Sequence, residues 1–296
     1  MKKQLLILVL AVVSFCCATN PTYRYLNNTS PGAVPQTFFA ATQLPEQCYP
    51  QYIAFSKDGR ELYLATSDKD WRYKTILHST FENSAWSKPD TAEFMKRGAD
   101  GGEPFVYGNS VFFVSFRNSK ATRQTDIYQF QKGNGAPSQV LHLPPGLNSS
   151  SNEWHPTLTN SGVMYFASER NNERFQADIY RSTYRDGVFT NPIKLSDSVN
   201  SAYNDGDPLI SPDEKFLIFH SERPGGYGGH DLYISFRKKD GSWTAARNMG
   251  PAINSAELEF GPSLSPDGKY LFFTRRKAFQ TEVQSEIYWV LLPPRL

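Results

Sequence analysis

Residues 248–288 read NMGPAINSAELEFGPSLSPDGKYLFFTRRKAFQTEVQSEIY, and residues 194–233 read KLSDSVNSAYNDGDPLISPDEKFLIFHSERPGGYGGHDLY. Both carry an Asn-Ser pair, a cluster of acids, a proline, a Ser-Pro-Asp turn, an aromatic run and an acid-aliphatic-Tyr triplet. Two copies at one spacing make an internal repeat, the sign of a tandem architecture. In the later copy Pro262 precedes the turn Ser265-Pro266-Asp267-Gly268. There proline presets φ, while Asp and Gly supply side-chain bonding and positive φ. From Tyr270 to Arg275 apolar residues fall on both parities, which predicts a strand covered on both faces. A polar loop leads to a third strand at Glu286-Ile287-Tyr288. In the earlier copy the turn Lys239-Asp240-Gly241 opens an outer strand at Trp243. Four short strands per unit predict a propeller blade.

Working outward, the opening prolines of five units are Pro50, Pro104, Pro156, Pro208 and Pro262, at steps of 54, 52, 52 and 54 residues. The third strands carry Asp126-Ile127-Tyr128, Asp178-Ile179-Tyr180, Asp231-Leu232-Tyr233 and Glu286-Ile287-Tyr288, with Thr75-Ile76-Leu77 in that place in the first unit. Outer strands begin near Trp86, Val140, Phe189 and Trp243. The fifth unit ends without an outer strand, and the stretch Thr37-Phe38-Phe39-Ala40 can supply it. A ring must close, because an open end leaves unpaired backbone and an uncovered face. The expectation is an all-β, five-bladed β-propeller of four-stranded antiparallel blades, its last blade completed by the N-terminal strand. Six blades, the alternative, need about fifty residues more than the chain has.

Composition agrees: aromatics are 14% of the 296 residues, with 20 Gly and 20 Pro and no sustained helical period. The net charge of +2 excludes a strongly basic nucleic-acid surface. Lys2-Lys3 followed by nine apolar residues, Leu5 to Val13, reads as a secretory signal over residues 1–18, with one propeller domain over 19–296. Cleavage after Ala18 and a lipoprotein box ending at Cys16 are both readable; Phe15 departs from the small residue the latter wants. The other lipidation candidate is Cys17. Cys48 remains without a disulfide partner and reads as an apolar filler.

The run Ser265 to Phe273 with Glu286-Ile287-Tyr288, and Ser221-Glu222-Arg223-Pro224-Gly225-Gly226 through Asp231-Leu232-Tyr233, resemble the TolB-type, WD-like propeller repeat of bacterial exported proteins. The resemblance covers all five units, most strongly the last three, and implies a periplasmic or outer-membrane-associated location in a Gram-negative cell. Its relatives include the Pal-binding TolB propeller, propellers fused to peptidoglycan-binding domains, and propellers that gate serine peptidases. The repeats fill the sequence after residue 18, so no second domain is expected, and it contains no Gly-x-Ser-x-Gly nucleophile elbow.

Acids stand before each opening proline: Glu46, Asp100 with Glu103, Glu153, Asp205 with Asp207, and Glu257 with Glu259. One reading brings them to a channel mouth, where they hold a cation such as calcium, a basic segment, or an acid/base pair. The other has each acid bonding backbone N–H groups of its own or a neighbouring loop, which suits a feature repeated at every blade. Asn148-Ser149, Asn200-Ser201 and Asn254-Ser255 read as structural caps of the blade crossings. Non-repeating features are the better ligand candidates: Trp154-His155, the loop Gly225 to His230 with Tyr227, and Trp71-Arg72-Tyr73. The ligand-binding set is therefore Glu103, Glu153, Trp154, His155, Asp205, Asp207, Glu259, Trp71, Tyr227 and His230. No zinc spacing appears among the five histidines.

Two functions follow. One is a non-catalytic exported monomer binding a protein, peptide or cell-envelope glycan at its axial face, touching the membrane only through a lipid anchor. The alternative is a carbohydrate-active enzyme using channel carboxylates, with Glu153 and Asp207 as the pair.

Overall fold

The computed structural model describes residues 30–40, 44, 48–96, 100–119, 121–170, 176–185, 188–277 and 284–292. The expected signal segment and Glu46 lie outside the described residues.

The short segment β1 (Gln36–Ala40) comes first in the chain but belongs to the last sheet. Blade 1 follows, with β2 (Tyr49–Phe55), β3 (Glu61–Ser67), β4 (Lys74–Glu82) and an outer edge split into β5 (Ala85–Trp86) and β6 (Asp90–Thr91). Blade 2 has β7 (Gly101–Tyr107), β8 (Ser110–Ser115), β9 (Asp126–Gln131) and β10 (Gln139–His142). In blade 3, β11 (Glu153–Leu158), β12 (Val163–Ser168) and β13 (Asp178–Arg185) carry another split edge, β14 (Val188–Phe189) and β15 (Ile193–Lys194). Blade 4 has β16 (Asp205–Ile210), β17 (Phe216–Ser221), β18 (Asp231–Phe236) and β19 (Arg247–Asn248). Blade 5 has β20 (Leu258–Leu264), β21 (Tyr270–Lys277) and β22 (Gln284–Leu291), and β1 as its outermost strand.

The expected closure is present. β1 pairs antiparallel with β22, Thr37 opposite Tyr288 and Phe39 opposite Ile287. The Phe38 ring lies 4.9 Å from that of Phe272 and 5.2 Å from that of Trp289. Five antiparallel sheets, with five apolar layers between successive neighbours, form the ring among the described residues. Tyr63 and Ile76 of blade 1 meet Val111 and Phe113 of blade 2. Phe272 and Trp289 of blade 5 meet Ile53 and Leu64 of blade 1, which joins last to first. The fold is a five-bladed β-propeller.

Local chemistry explains the blades. In the hairpin before β21, Ser265 Oγ accepts the Tyr270 N–H at 2.9 Å and donates to Asp267 at 2.7 Å. Ser56 does the same with Glu61 and Asp58. Where one blade crosses to the next, Asn200 accepts the Ile179 N–H at 2.7 Å and donates to the carbonyls of Ile179 and Leu195. Asn148 repeats this at Ile127 and Leu143. These buried amides satisfy backbone groups that the sheet leaves over. An arginine at or just past the end of the second strand lies over two aromatic rings of its own blade: Arg170 over Phe166 and Tyr180, Arg223 over Phe219 and Tyr233, and Arg275, within β21, over Phe273 and Tyr288.

Two details depart from the sequence reading. In blades 2 to 5 the opening proline sits inside a bulge of the innermost strand, whereas Pro50 pairs in register with Thr66 and Gln51 is the bulged residue. In blade 4 the outer strand is Arg247–Asn248, and Trp243 makes only a single bridge to Arg237.

Candidate functional site

The bulges build the site. The residue before the proline takes a left-handed backbone in four successive blades: Glu103 (φ 58°), His155 (φ 44°), Asp207 (φ 47°) and Gly261 (φ 61°). Only glycine adopts this region without cost; each of the other three stores about 1–2 kcal/mol of strain. Such strain persists where surrounding structure enforces it, and it clusters at functional sites. The bulge turns these side chains out of the strand alternation and toward the axis.

There the blades are cross-linked. The His155 N–H donates to Glu103 Oε2 at 2.7 Å, and the Gly261 N–H to Asp207 Oδ2 at 3.0 Å, so each carboxylate is held by the next blade's bulge. Tyr52 donates its hydroxyl to Asp207 Oδ2 at 3.3 Å, and its ring lies 5.3 Å from that of His155. A Cβ on Gly261 would stand 2.7 Å from the Tyr52 ring, so glycine there serves both the backbone and the tyrosine. His220 Nδ1 lies 3.4 Å from Asp207 Oδ2, and its ring stacks on His230 at 4.6 Å. His230 Nε2 in turn meets Glu222 at 3.0 Å. His155 Nδ1 is 3.9 Å from Asp207 Oδ1.

Charge follows burial. Burial pushes the Glu103 carboxyl up to about 7; Asp207 adds to the rise, and Lys74, at 3.9 Å, opposes it. Burial also pushes Asp207 up, but the charge and hydrogen bond of His220, with His155 and the Gly261 N–H, hold it well below the carboxylate range. His220 is raised because Asp207 outweighs burial, and His155 is lowered by its burial. Burial and Asp207 raise the Tyr52 phenol far out of its usual range.

Above this floor opens a cavity of about 550 Å³, lined by Glu103, Asp207, His220, His230, Trp71 and Trp154 among others. Lys74 Nζ lies between the two indoles, 5.8 Å from the Trp71 ring and 5.2 Å from that of Trp154. Trp154 donates its N–H to Glu169, which Asn152 also holds.

The structure divides the expected ligand set. It brings Glu103, Asp207, Trp71, Trp154 and His230 to the cavity, with His155 beneath. Glu153, Asp205 and Glu259 form no collar: all three are fully buried and tied into their own loops. Glu153 accepts from the Ser149 N–H and hydroxyl, Ser168 and Arg170. Asp205 accepts from Ser201 and Arg223, and Glu259 from Ser255 and Arg275. Two further residues leave the expected cluster. Asp100 caps the Lys74 N–H at 2.9 Å, and Tyr227, half exposed, lies outside the cavity lining with its N–H on Asp231.

The sequence reading passed over Tyr52, Lys74 and His220. Two of them carry a signal. Register puts Lys74, one residue before the expected Thr75, opposite Ser67 where Asp126, Asp178 and Asp231 pair with their serines, so the lysine breaks the Asp-aliphatic-Tyr pattern. His220 faces Gly206 where the neighbouring blade sets Ala167 against Trp154, a swap of large and small.

No family model matches the chain. By sequence, 86 residues are 31% identical to the protein STRUBBELIG of Arabidopsis thaliana, over 27% of this chain and 11% of that protein; the chain thus spans about a tenth of that relative. By structure, the chain is similar to TolB from Acinetobacter baumannii (TM-score 0.53, 14% identity, 84% of this chain and 58% of that one). It is equally similar to an endo-arabinase from Bacteroides thetaiotaomicron VPI-5482 (TM-score 0.53, 14% identity, 90% and 99%). At these identities the likeness establishes the propeller fold alone.

Proposed function

We propose that this is an exported, TolB-like envelope protein whose axial cavity binds a cell-envelope glycan. The observation that carries the reading is a concave site with two indoles on its wall and fixed carboxylates on its floor. Flat indole faces stack on the apolar face of a sugar ring, while Glu103, Asp207 and Lys74 offer partners for hydroxyl and amide groups. A volume near 550 Å³ falls in the ordinary range for small-ligand pockets. The signal-like segment 1–18 supports export as one propeller domain to the periplasm or outer membrane, with Cys16 or Cys17 as the lipid-anchor alternative. The protein acts as a monomer without nucleic acid, and protein or peptide ligands are the other outcomes of the test.

The test is a panel of peptidoglycan fragments and other envelope glycans, read by calorimetry and by product release. Trp154→Ala should weaken binding at least about 10-fold with the fold intact, since a buried stacked aromatic contributes 1 kcal/mol or more. Equal affinity in Trp154→Ala, or no binding across the panel, would sink the reading. A second reading, glycoside cleavage, is favoured by one observation: Glu103 and Asp207 oxygens lie within 4.8 Å of each other. That is closer than the ~6.5–9.5 Å of inverting enzymes and nearest the ~5 Å of retaining ones. Product release lost in Glu103→Gln would establish it.

A further inference from the structure

We infer that the floor of the axial cavity is a divalent-metal site, with Glu103 Oε1, His155 Nδ1 and Asp207 Oδ1 as protein ligands for an ion of the zinc type. The three groups offer ligand atoms that all lie within 4.8 Å of one another, and the residues are only 2%, 6% and 5% exposed.

The argument rests on which atoms are already committed. Glu103 Oε2 is taken by the His155 N–H, leaving Oε1 with Lys74 alone at 3.9 Å. Asp207 Oδ2 receives Tyr52 and the Gly261 N–H and faces His220; among the described residues Oδ1 has only His155 Nδ1, at 3.9 Å. His155 Nδ1 is buried with no hydrogen-bond partner among the described residues. Each carboxylate is thus held through one oxygen with the other turned toward His155, whose ring rests against that of Tyr52. Outer partners that fix the ligand while leaving its second atom free are how proteins hold metals. An orphaned buried imidazole nitrogen is otherwise costly, about 1–3 kcal/mol.

The donor set selects the ion. Two carboxylates neutralise a dication, and an imidazole nitrogen suits zinc and its neighbours better than calcium, which takes oxygen ligands. Adjacent ligands around tetrahedral zinc stand roughly 3.4 Å apart, given bonds of ~2.0–2.1 Å. Separations of up to 4.8 Å must therefore close by up to about 1.4 Å. Lys74 can yield its place because its ammonium sits on a flexible four-carbon stem and already has the Trp154 ring to face, 5.2 Å away. Glu103 and Asp207 both face the cavity, so a fourth position opens toward a bound oxygen. This deepens the proposed function by giving its cavity a Lewis acid, yet it is tested without any glycan, so either can fail alone.

The experiment takes the untagged mature chain, dialysed against chelator, and titrates Zn2+ by calorimetry with Ca2+ in parallel. One equivalent should bind at submicromolar Kd, with no calcium response at the same concentrations. Asp207→Asn and His155→Asn, the latter keeping a residue that tolerates left-handed backbone, should each lower zinc affinity about 100-fold or more. His142→Gln, on the outer strand of blade 2 and away from the cavity, should leave it unchanged. Co2+ in the wild-type chain should give visible bands of a low-coordinate nitrogen/oxygen site, a readout needing no variant to fold. Zinc weaker than about 10 μM, or affinity unchanged in both ligand variants with an octahedral aqua-like cobalt spectrum, overturns the inference.

Discussion

Removing one ring from the closing strand tests the whole architecture. Phe38 is 3% exposed and packs edge-on against Phe55, Phe272 and Trp289, at 6.2, 4.9 and 5.2 Å. It joins blade 5 to the layer shared with blade 1, where Ile53, Leu62 and Leu64 lie. Phe38→Ala removes the transfer energy of the ring and leaves a cavity that a ring of rigid sheets fills poorly, a loss of about 3–5 kcal/mol. For a domain of this size each kcal/mol lowers Tm by roughly 2–4 °C, so the melt should fall by about 6–20 °C. Differential scanning calorimetry reads the melt. Hydrogen exchange reads the mechanism: amides of β1 and β22 should lose protection before those of β12 or β17. The control is Val34→Ala on the same segment, where the side chain is 72% exposed and the change should stay within about 0.5 kcal/mol. If Phe38→Ala melted with the wild type and its β22 amides exchanged as before, the N-terminal strand would not be holding the ring, and the closure argument would fail.

Two other outcomes follow from the geometry. Glu61 is held near 2 by its His78 hydrogen bond and by Lys132, against an ordinary value of 4.5; its folded value is depressed, so its stabilisation is full above about pH 4.5 and is lost as pH falls toward 2. The ceiling is roughly 3 kcal/mol, and solvent at a 26% exposed carboxylate reduces it to about 1–2; Glu61→Gln should flatten that part of the stability curve in urea titrations, and an unchanged slope would refute the assignment. At Gly206 a Cβ would stand 2.5 Å from the His220 ring; Gly206→Ala should cost about 1–3 kcal/mol, and His220→Ala in the same chain should recover part of it, a sub-additive cycle that strict additivity would contradict.

The fold was legible because each blade is written locally. Ser-Pro-Asp-Gly sets a turn by its own side-chain bonds, and period-two aromatics set the strand, so the repeat survives without knowledge of distant contacts. The acids were harder. Glu153 and Asp207 are two residues apart relative to their prolines, yet one is swallowed by its serine and arginine and the other faces the cavity. What separates them is a left-handed bulge, and a non-glycine residue with positive φ leaves no mark in sequence. The floor is also assembled across blades: Tyr52 and Asp207 are 155 positions apart, Glu103 and His155 52 apart. Trp71 and Trp154 could be singled out because they interrupt the repeat. Lys74 and His220 interrupt it too, but only register, not spacing, reveals which neighbours they replace.

Thr37 and its partner Glu286 are 249 positions apart, so among the described residues the first strand to be synthesised pairs with the last. At roughly 5–20 residues per second, that leaves a greasy ribbon naked for tens of seconds while the intervening sheets emerge. Vectorial folding can stack four blades in order, but it cannot finish the fifth. A chain stalled before β22 leaves both β1 and β21 with an unpaired β edge ready to aggregate.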